Sequence, residues 1–283
     1  MSTETMPRQK QQRQPGRESE MRPEPDYTPK YPGVGKLKDK VALITGGDSG
    51  IGRAVAVAMA REGARIAIVY LDEHKDANET RDLVADEGGA AILLPGDVGD
   101  EAFCEAAVEA TIEKFGRLDI LVNIAGEQHE IDHPSHIEAA QIEQTFRTNV
   151  FSMFYMTKHA LGRMEKGATI INTASITAYE GHKTLIDYAA TKGAIVSLTR
   201  ALSQRLVGDG IRVNAVAPGP IWTPLIPASF DPDHVAHHGA SAPMQRPGQP
   251  NEVAPCYVFL ASDESSYISG QVLHPNGGSP VAS

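Results

Sequence analysis

The sequence has 283 residues, 41% of them hydrophobic and 22% charged, so it is long and apolar enough to bury a proper core. Its formal net charge of −10, from 26 basic and 36 acidic residues, argues against nucleic acid as the main partner. No stretch reaches the roughly 18 apolar residues that a membrane span requires. Cys104 and Cys256 lie in apolar helical contexts, which favours buried thiols in a reducing compartment.

The first forty residues differ in composition from the rest of the chain. They are rich in Gln, Arg, Glu and Pro, and they lack both apolar periodicity and the apolar region of a secretory signal. Such a segment cannot bury enough surface to fold alone, which predicts a flexible tail over residues 1–36. Alternatively, residues 27–32, with two tyrosines and two prolines, dock as an extended arm on a neighbouring subunit. Residues 37–283 are expected to form one domain.

From residue 41 onward, short β-rich apolar runs alternate with amphipathic helical stretches. This alternation predicts βαβ units and an α/β fold, a single-domain, Rossmann-like, doubly wound parallel sheet of about seven strands with helices on both faces. The predicted strands, in chain order, are 41–45, 65–70, 91–96, 118–123, 168–173, 211–218 and 271–275.

The segment TGGDSGIG, residues 45–52, lies between the first predicted strand and the first helix. Its glycines permit a tight turn and let backbone N–H groups approach a pyrophosphate at a helix N-terminus. A turn without a ligand would show the same glycines, but the order of strand, turn and helix favours a dinucleotide site. The candidate cofactor-binding residues of this turn are Gly46, Asp48, Ser49, Gly50, Ile51 and Gly52.

The residues after the second strand bear on which dinucleotide binds. An acidic side chain there accepts a hydrogen bond from a ribose 2′-hydroxyl and repels a 2′-phosphate. Asp72 lies twenty residues past Gly52, Glu73 follows it, and no Arg or Lys occupies the glycine turn. This favours NAD over NADP. Tyr70, however, occupies the position where such an acid would be best placed, so NADP stays an alternative.

Tyr188 and Lys192 are four residues apart in a helix-favouring stretch, so they share one helix face. A nearby ammonium favours the phenolate, which predicts a lowered pKa for Tyr188 and suits a general acid–base group. Ser175, at the end of the fifth predicted strand, is placed to hydrogen-bond the same phenol oxygen. Without the other motifs, an ordinary surface tyrosine beside a solvated lysine would explain the pair.

Taken together, these motifs resemble those of the short-chain dehydrogenase/reductase family over about residues 37–278. The shared motifs are TGxxxGxG, Asn123-x-Ala125-Gly126, Asn149, Ser175, Tyr188-x-x-x-Lys192 and Pro218-Gly219. The family often has a second Asn where this chain has Ile124, which puts one side-chain contact in doubt. Several longer phrases and the N-terminal tail look closest to a bacterial subgroup of general oxidoreductases.

The resemblance implies hydride transfer between NAD(P) and a carbonyl or alcohol. Tyr188 would be the acid–base residue, Lys192 would also bind the nicotinamide ribose, Asn149 would hold a water in a proton relay, and Ser175 would position the substrate. The further cofactor contacts implied are Asp97, Val98, Asn123, Ala125, Gly126, Pro218, Gly219, Ile221 and Thr223. The family also implies a homotetramer, and the acidic surface without a targeting signal predicts a cytoplasmic protein that binds neither nucleic acid nor membrane.

Two other functions compete with this hypothesis. HEIDH, residues 129–133, matches the zinc motif H-E-x-x-H, but Pro134 disfavours the helix that the motif requires, so no metal is expected. The group of His234, His237 and His238 is interpreted as a solvated loop cluster. A non-catalytic dinucleotide-binding regulator would use the same fold, yet it has no need of a tuned phenol.

A proline-rich segment, 220–250, carries enough apolar residues to form a lid over the cofactor. In the family this region forms much of the substrate pocket. Glu180, His182 and Trp222 are candidate pocket residues, with a structural role as the equally favoured alternative for each. The substrate is predicted only as a carbonyl or alcohol compound.

Overall fold

A parallel β-sheet forms the centre of the protein in a computed structural model that describes residues 3–281. The strands are β1 (Val41–Thr45), β2 (Arg65–Tyr70), β3 (Ala91–Pro95), β4 (Ile120–Asn123), β5 (Thr169–Thr173), β6 (Arg212–Val216) and β7 (Val272–Leu273). They lie in the order β3-β2-β1-β4-β5-β6-β7, and every neighbouring pair is parallel. The predicted seven-stranded, doubly wound fold is confirmed, with the last strand reduced to two residues.

Helices connect the strands and cover both faces of the sheet. They are α1 (Gly50–Arg61), α2 (His74–Asp86), α3 (Glu101–Phe115), α4 (Ala139–Phe146), α5 (Ser152–Leu161), α6 (Thr177–Glu180), α7 (Ile186–Leu206), α8 (Leu225–Ser229), α9 (Pro232–Ala236) and α10 (Pro250–Ala261). None of these helices, which all lie within residues 3–281, is long and apolar enough to cross a membrane.

The core consists of two apolar layers, one on each side of the sheet. Successive strand residues point to opposite faces, so Ile44 packs with Val55 of α1 while Leu43 packs with Met156 of α5. Each fully buried aliphatic side chain of this kind stabilises the fold by about 1.5–3 kcal/mol. Because both faces are covered, β1 is buried along its whole length and reads as a continuous apolar run.

The N-terminal tail packs on the core of its own chain. Met21 is fully buried in a cluster with Trp222, and the Trp222 indole Nε1–H donates a hydrogen bond of 2.9 Å to the backbone oxygen of Pro23. The structure thus differs from the prediction of a flexible tail, whereas docking of residues 27–32 on a neighbouring subunit stays a prediction. Composition misleads here because the few apolar tail residues find partners on the lid segment, far along the chain. The division at residues 36 and 37 stays a prediction.

Candidate functional site

The glycine turn lies where the strand order reverses. From β1 the chain moves outward to β2 and β3 and then returns to β4 on the other side, which opens a crevice at the carboxyl ends of β1 and β4. Gly46 and Gly50 have positive φ values of 64° and 52°, which favour glycine. A Cβ on Gly52 would lie 1.9 Å from the carbonyl oxygen of Gly46, so the first turn of α1 packs directly on the loop.

A cleft of about 810 Å³ extends from this turn along the carboxyl edge of the sheet. Its volume falls within the roughly 300–1,000 Å³ that is usual for small-molecule and cofactor sites. Most of the residues that the sequence assigned to the site line this one cleft. These are Gly46, Asp48, Ser49, Gly50, Ile51, Gly52, Asp97, Val98, Ala125, Gly126, Ser175, Tyr188, Lys192, Pro218, Gly219, Ile221 and Thr223.

Three assigned residues do not line the cleft. The Asn123 side chain donates to Asn172 Oδ1 at 2.9 Å inside the sheet, between the neighbouring strands β4 and β5. Asp72 faces outward, with 58% of its side chain exposed, and pairs with the guanidinium of Arg13 from the tail. Its neighbour Glu73 lines the cleft instead. Asp72 therefore does not line the cleft, because its side chain faces outward after the end of β2, and its contact with the cofactor stays a prediction.

Asn149, the third of these residues, lies fully buried behind the cleft. It sits in a π-helical turn, Arg147–Phe151, between α4 and α5, and such turns are frequent at functional sites. Its side-chain oxygen accepts from the backbone N–H of Glu127 at 2.9 Å, and its Nδ2 donates to Thr191 Oγ1 at 3.1 Å. Asn149 therefore fixes the loop after β4 to α7.

Tyr188, Lys192 and Ser175 all line the cleft. Tyr188 and Lys192 lie one turn apart on α7, and the Lys192 Nζ is 5.2 Å from the centroid of the Tyr188 ring. The same Nζ donates a hydrogen bond of 2.9 Å to the backbone oxygen of Thr173, the last residue of β5. Ser175 follows two residues later and also lines the cleft. The end of β5 thus positions both the lysine and the serine.

The protonation preferences of this pair differ from the prediction. Burial raises the pKa of Tyr188 to about 12, although a hydrogen bond with Ser175 acts in the opposite direction. Burial also lowers the pKa of Lys192 to about 7. The prediction of a lowered phenol pKa is therefore wrong for the protein's own groups. The physical reason is that loss of hydration penalises the charged form of both residues.

The tail also reaches the start of α1. The Glu18 carboxylate accepts a hydrogen bond from the Gly50 N–H, and its Oε1 lies 2.8 Å from Nη1 of Arg53. Both side chains of this ion pair are 2% exposed. Burial raises the pKa of Glu18 to about 7, even though Arg53 and the Gly50 N–H favour its ionised form.

The HEIDH segment forms a loop instead of a helix. Residues 127–133 have no helical structure, and a short 3-10 turn starts at Pro134. The ring Nδ1 of His133 lies 2.7 Å from Ser135 Oγ, and His129 lies 3.6 Å from Glu127. Within residues 3–281, no group of three potential metal-ligating side chains occurs. The geometry that the zinc motif requires is absent from this segment.

Several lining residues were not assigned from the sequence. Among the pocket residues suggested there, Glu180 and His182 line the cleft, whereas Trp222 is fully buried beside the tail. The further lining residues include Gln14, Pro15 and Gly16 of the tail and the lid residues Phe230, His234, His237 and His238. The histidine group is thus part of the cleft wall and not the solvated cluster that was expected. The dense spacing of these histidines within the apolar lid segment could have indicated that they line the cleft. No pattern in the tail indicated that its residues do so.

Comparisons with known proteins find similar oxidoreductases. Residues 46–279 match the sequence profile of a family described as enoyl-(acyl carrier protein) reductase. An uncharacterized oxidoreductase of Bacillus subtilis (strain 168) is 61% identical over 277 residues, which cover 98% of this chain and 96% of the relative. NADPH-dependent aldehyde reductase 1, chloroplastic, of Arabidopsis thaliana is 50% identical over 282 residues, 97% of this chain and 98% of the relative. A solved structure of a short chain dehydrogenase from Burkholderia cenocepacia J2315 in complex with NADP has a TM-score of 0.81 and 31% identity, covering 86% of this chain and 98% of that one.

Proposed function

The chain belongs to the short-chain dehydrogenase/reductase family and is an oxidoreductase, and we propose that it transfers a hydride between NAD or NADP and a carbonyl or alcohol substrate, with Tyr188 as the acid–base residue. One observation carries the proposal: a single cleft joins the glycine turn at the N-terminus of α1 to Tyr188, Lys192 and Ser175. Dinucleotide binding requires the glycine turn, and proton transfer requires a group such as Tyr188.

The residues of the cleft fit a dinucleotide. The glycine turn lies at the start of α1, where the helix dipole favours a pyrophosphate, and the Gly50 N–H would have to exchange the Glu18 carboxylate for a phosphate oxygen. Asp97 and Val98 line the side nearest β3, and the loop after β6 supplies the opposite wall. The bound dinucleotide would supply or accept the hydride. The remaining steps fall to side chains of this chain.

Tyr188 would move the proton. In the reductive direction its phenol O–H donates to the carbonyl oxygen as the carbonyl carbon receives the hydride, giving an alcohol. A phenol with a raised pKa keeps its proton at neutral pH and is ready to donate it. Ser175, which borders the same space, would hydrogen-bond the substrate oxygen and orient it. These properties make carbonyl reduction the direction to assay first.

Lys192 and Asn149 would act by position. The hydrogen bond to the Thr173 carbonyl holds the Lys192 ammonium beside Gly126, whose added Cβ would lie 3.8 Å from Nζ. A ribose hydroxyl at that point would accept from the lysine. Asn149 holds the loop at Glu127, so we assign it a positioning role and keep the proton relay through a water as part of the proposal.

Calorimetric titration of metal-checked protein with NAD and, separately, NADP tests the proposal. We expect one dinucleotide to bind with micromolar affinity or better, followed by consumption of the reduced cofactor with an aldehyde panel. Aldehydes come first because one relative is named as an NADPH-dependent aldehyde reductase. Failure of both dinucleotides to bind, or stoichiometric zinc in the protein, would refute it.

Assembly and location extend the same proposal. Large apolar side chains are exposed close to Asn149, namely Ile142, Phe151 and Phe154, with 40%, 40% and 52% of their area exposed. Such a patch supports the homotetramer that we propose. Sedimentation of the wild type and of Phe154→Glu should distinguish a tetramer from a dissociated variant. The cytoplasmic location stays a prediction that cell fractionation would test.

A further inference from the structure

Arg13 of the tail reaches the end of β2, where dinucleotide-binding folds recognise the adenosine ribose. Its Nη2 contacts the carboxylates of both Asp72 and Glu73. The two carboxylates differ in setting, since the Asp72 side chain is 58% exposed and that of Glu73 is 1% exposed. The tail therefore brings a positive charge to the two acids that the sequence places at the ribose.

These contacts engage the acid that borders the cleft. One oxygen of Glu73 is held by Arg13, and the other accepts from the backbone N–H of Asp72 at 3.3 Å. Asp72 itself points away from the cleft wall. A ribose 2′-hydroxyl would thus compete with Arg13 and with the Asp72 N–H for the oxygens of Glu73, which weakens the usual basis for preferring NAD.

The guanidinium still has donors to offer. Both of its contacts use Nη2, and within residues 3–281 neither Nε nor Nη1 makes a hydrogen bond. The Arg13 side chain as a whole is 28% exposed. The free Nε–H and Nη1–H groups can each donate a charge-assisted hydrogen bond to a phosphate oxygen, in directions that the point charge of a lysine does not fix.

Two anchors hold Arg13 in place. On one side, the Gln11 backbone N–H donates to the Pro227 oxygen at 2.7 Å. On the other, the Gln14 side chain donates to the Gln128 oxygen at 2.7 Å. Gln14 lines the cleft directly, so its neighbour Arg13 is held close to the edge of the cleft and does not lie on a free chain end.

We propose that Arg13 is a specificity-determining residue that binds the 2′-phosphate of the adenosine ribose, so that the chain prefers NADP over NAD. The ion pair with Asp72 and Glu73 offsets the repulsion that these acids would exert on the phosphate. This inference rests on the proposed function. It reverses the preference for NAD that the acids alone predict.

The test compares two ligands that differ only in the 2′-phosphate. Calorimetric titration of the full chain with adenosine 2′,5′-bisphosphate and with 5′-AMP gives the selectivity without any turnover. We expect Arg13→Ala to weaken the bisphosphate at least about tenfold and to change 5′-AMP by less than about twofold. Arg22→Ala is the matched control, because Arg22 is an exposed tail arginine that pairs with Glu24 and does not touch the end of β2.

The inference is overturned by a wild type that binds 5′-AMP more tightly, by an unchanged bisphosphate affinity in Arg13→Ala, or by an equal loss for both ligands with a docked tail. Tail docking is read from the emission of Trp222, which the tail covers. If Arg13→Ala releases the tail, Arg13→Lys decides the matter, since it keeps the charge but should lose several-fold affinity for the bisphosphate alone. Turnover with NAD only would sink this inference and leave the proposed function standing, whereas no dinucleotide binding at all would sink the function.

Discussion

Tyr188 and Lys192 show how burial acts on single residues at this site. Both side chains are nearly or fully enclosed, and desolvation favours the protonated phenol and the uncharged amine. The hydrogen bond from Lys192 to the Thr173 carbonyl compensates for part of the lost hydration. Burial thus shifts the pKa values of both side chains away from their ordinary values, as is common at catalytic sites.

Replacing Tyr188 by Phe removes the proton donor and keeps the ring. We expect turnover to fall by about 10²–10⁴-fold, the usual contribution of a general acid, while the dinucleotide dissociation constant changes by less than about threefold. Steady-state rates and calorimetry measure the two effects. Tyr179→Phe is the control, because Tyr179 lies outside the cleft, so this variant should keep the turnover of the wild type. Normal turnover in Tyr188→Phe would contradict the catalytic assignment.

Lys192 makes stability depend on pH. Its pKa is lowered to about 7 in the folded protein, so between about pH 7 and its ordinary value near 10.5 the unfolded chain binds more protons. The free energy of unfolding therefore rises with pH across this window, and the lysine destabilises the fold most below pH 7. We expect Lys192→Met to raise the melting temperature relative to wild type at pH 6 more than at pH 10. A difference that does not vary with pH would show that Lys192 keeps its ordinary pKa.

The motif residues were the most predictable part of the site. Ser175, Tyr188 and Lys192 were identified from spacing and resemblance, and the structure places them at one cleft. Asp72 was not predictable, because its direction depends on how the chain turns after β2 and on Arg13, which is 59 residues away. For Trp222 the structural role, one of the two roles left open, is the observed one, and its partner in the tail could not be read from the sequence.

At the scale of elements, α1 and the preceding turn act as one unit. Gly52, in the first turn of the helix, packs directly against the Gly46 carbonyl, so backbone atoms and not side chains shape the glycine turn. The sequence predicted this unit from three glycines. It did not predict the π-helical turn at Arg147–Phe151, because hydrophobic periodicity continues smoothly from α4 into α5.

Gly52→Ala tests that unit. Its Cβ would overlap the Gly46 oxygen, so we expect a loss of roughly 1–3 kcal/mol in the free energy of unfolding and markedly weaker dinucleotide binding. Gly193→Ala in α7 is the matched control, because its Cβ meets nothing within 4 Å. That substitution should be neutral or stabilise the protein by up to about 1 kcal/mol through helix propensity. Chemical denaturation and calorimetry give both quantities, and equal behaviour of the two variants would argue against the close approach.

At the scale of the whole molecule, the tail joins parts of the fold that the sheet leaves separate. It contacts the end of β2 through Arg13, the start of α1 through Glu18, and the lid through Met21 and Pro23. Composition alone could not reveal this, because a tail rich in charge and proline has the signature of disorder. Only the docking surface decides whether such a segment is ordered.

Removal of residues 1–36 should destabilise the protein and expose its single tryptophan. Loss of Met21 burial costs about 2 kcal/mol, and Arg53 would lose its buried partner. We expect a lower melting temperature and a red-shifted Trp222 emission in the truncated chain. Unchanged emission would mean that the tail does not cover Trp222 in solution.

Glu18 predicts a pH dependence of tail docking. Because its pKa is raised from 4.5 to about 7 in the docked state, docking is most favourable below about pH 4.5 and weakens as pH rises through 7. Limited proteolysis of the tail between pH 5 and 8 should show faster cleavage at the higher pH. Glu18→Gln should flatten this profile, whereas Glu20→Gln, at an exposed ion pair, should not. A steep profile in Glu18→Gln would assign the titration to another group.

The contact between the indole of Trp222 and the backbone of Pro23 also fixes an order of events during synthesis. The two residues are 199 positions apart, so the tail leaves the ribosome long before its docking surface exists. Closing so long a loop is slow compared with local helix formation. Met21 and Pro23 therefore stay without this partner in a nascent chain until Trp222 has been translated.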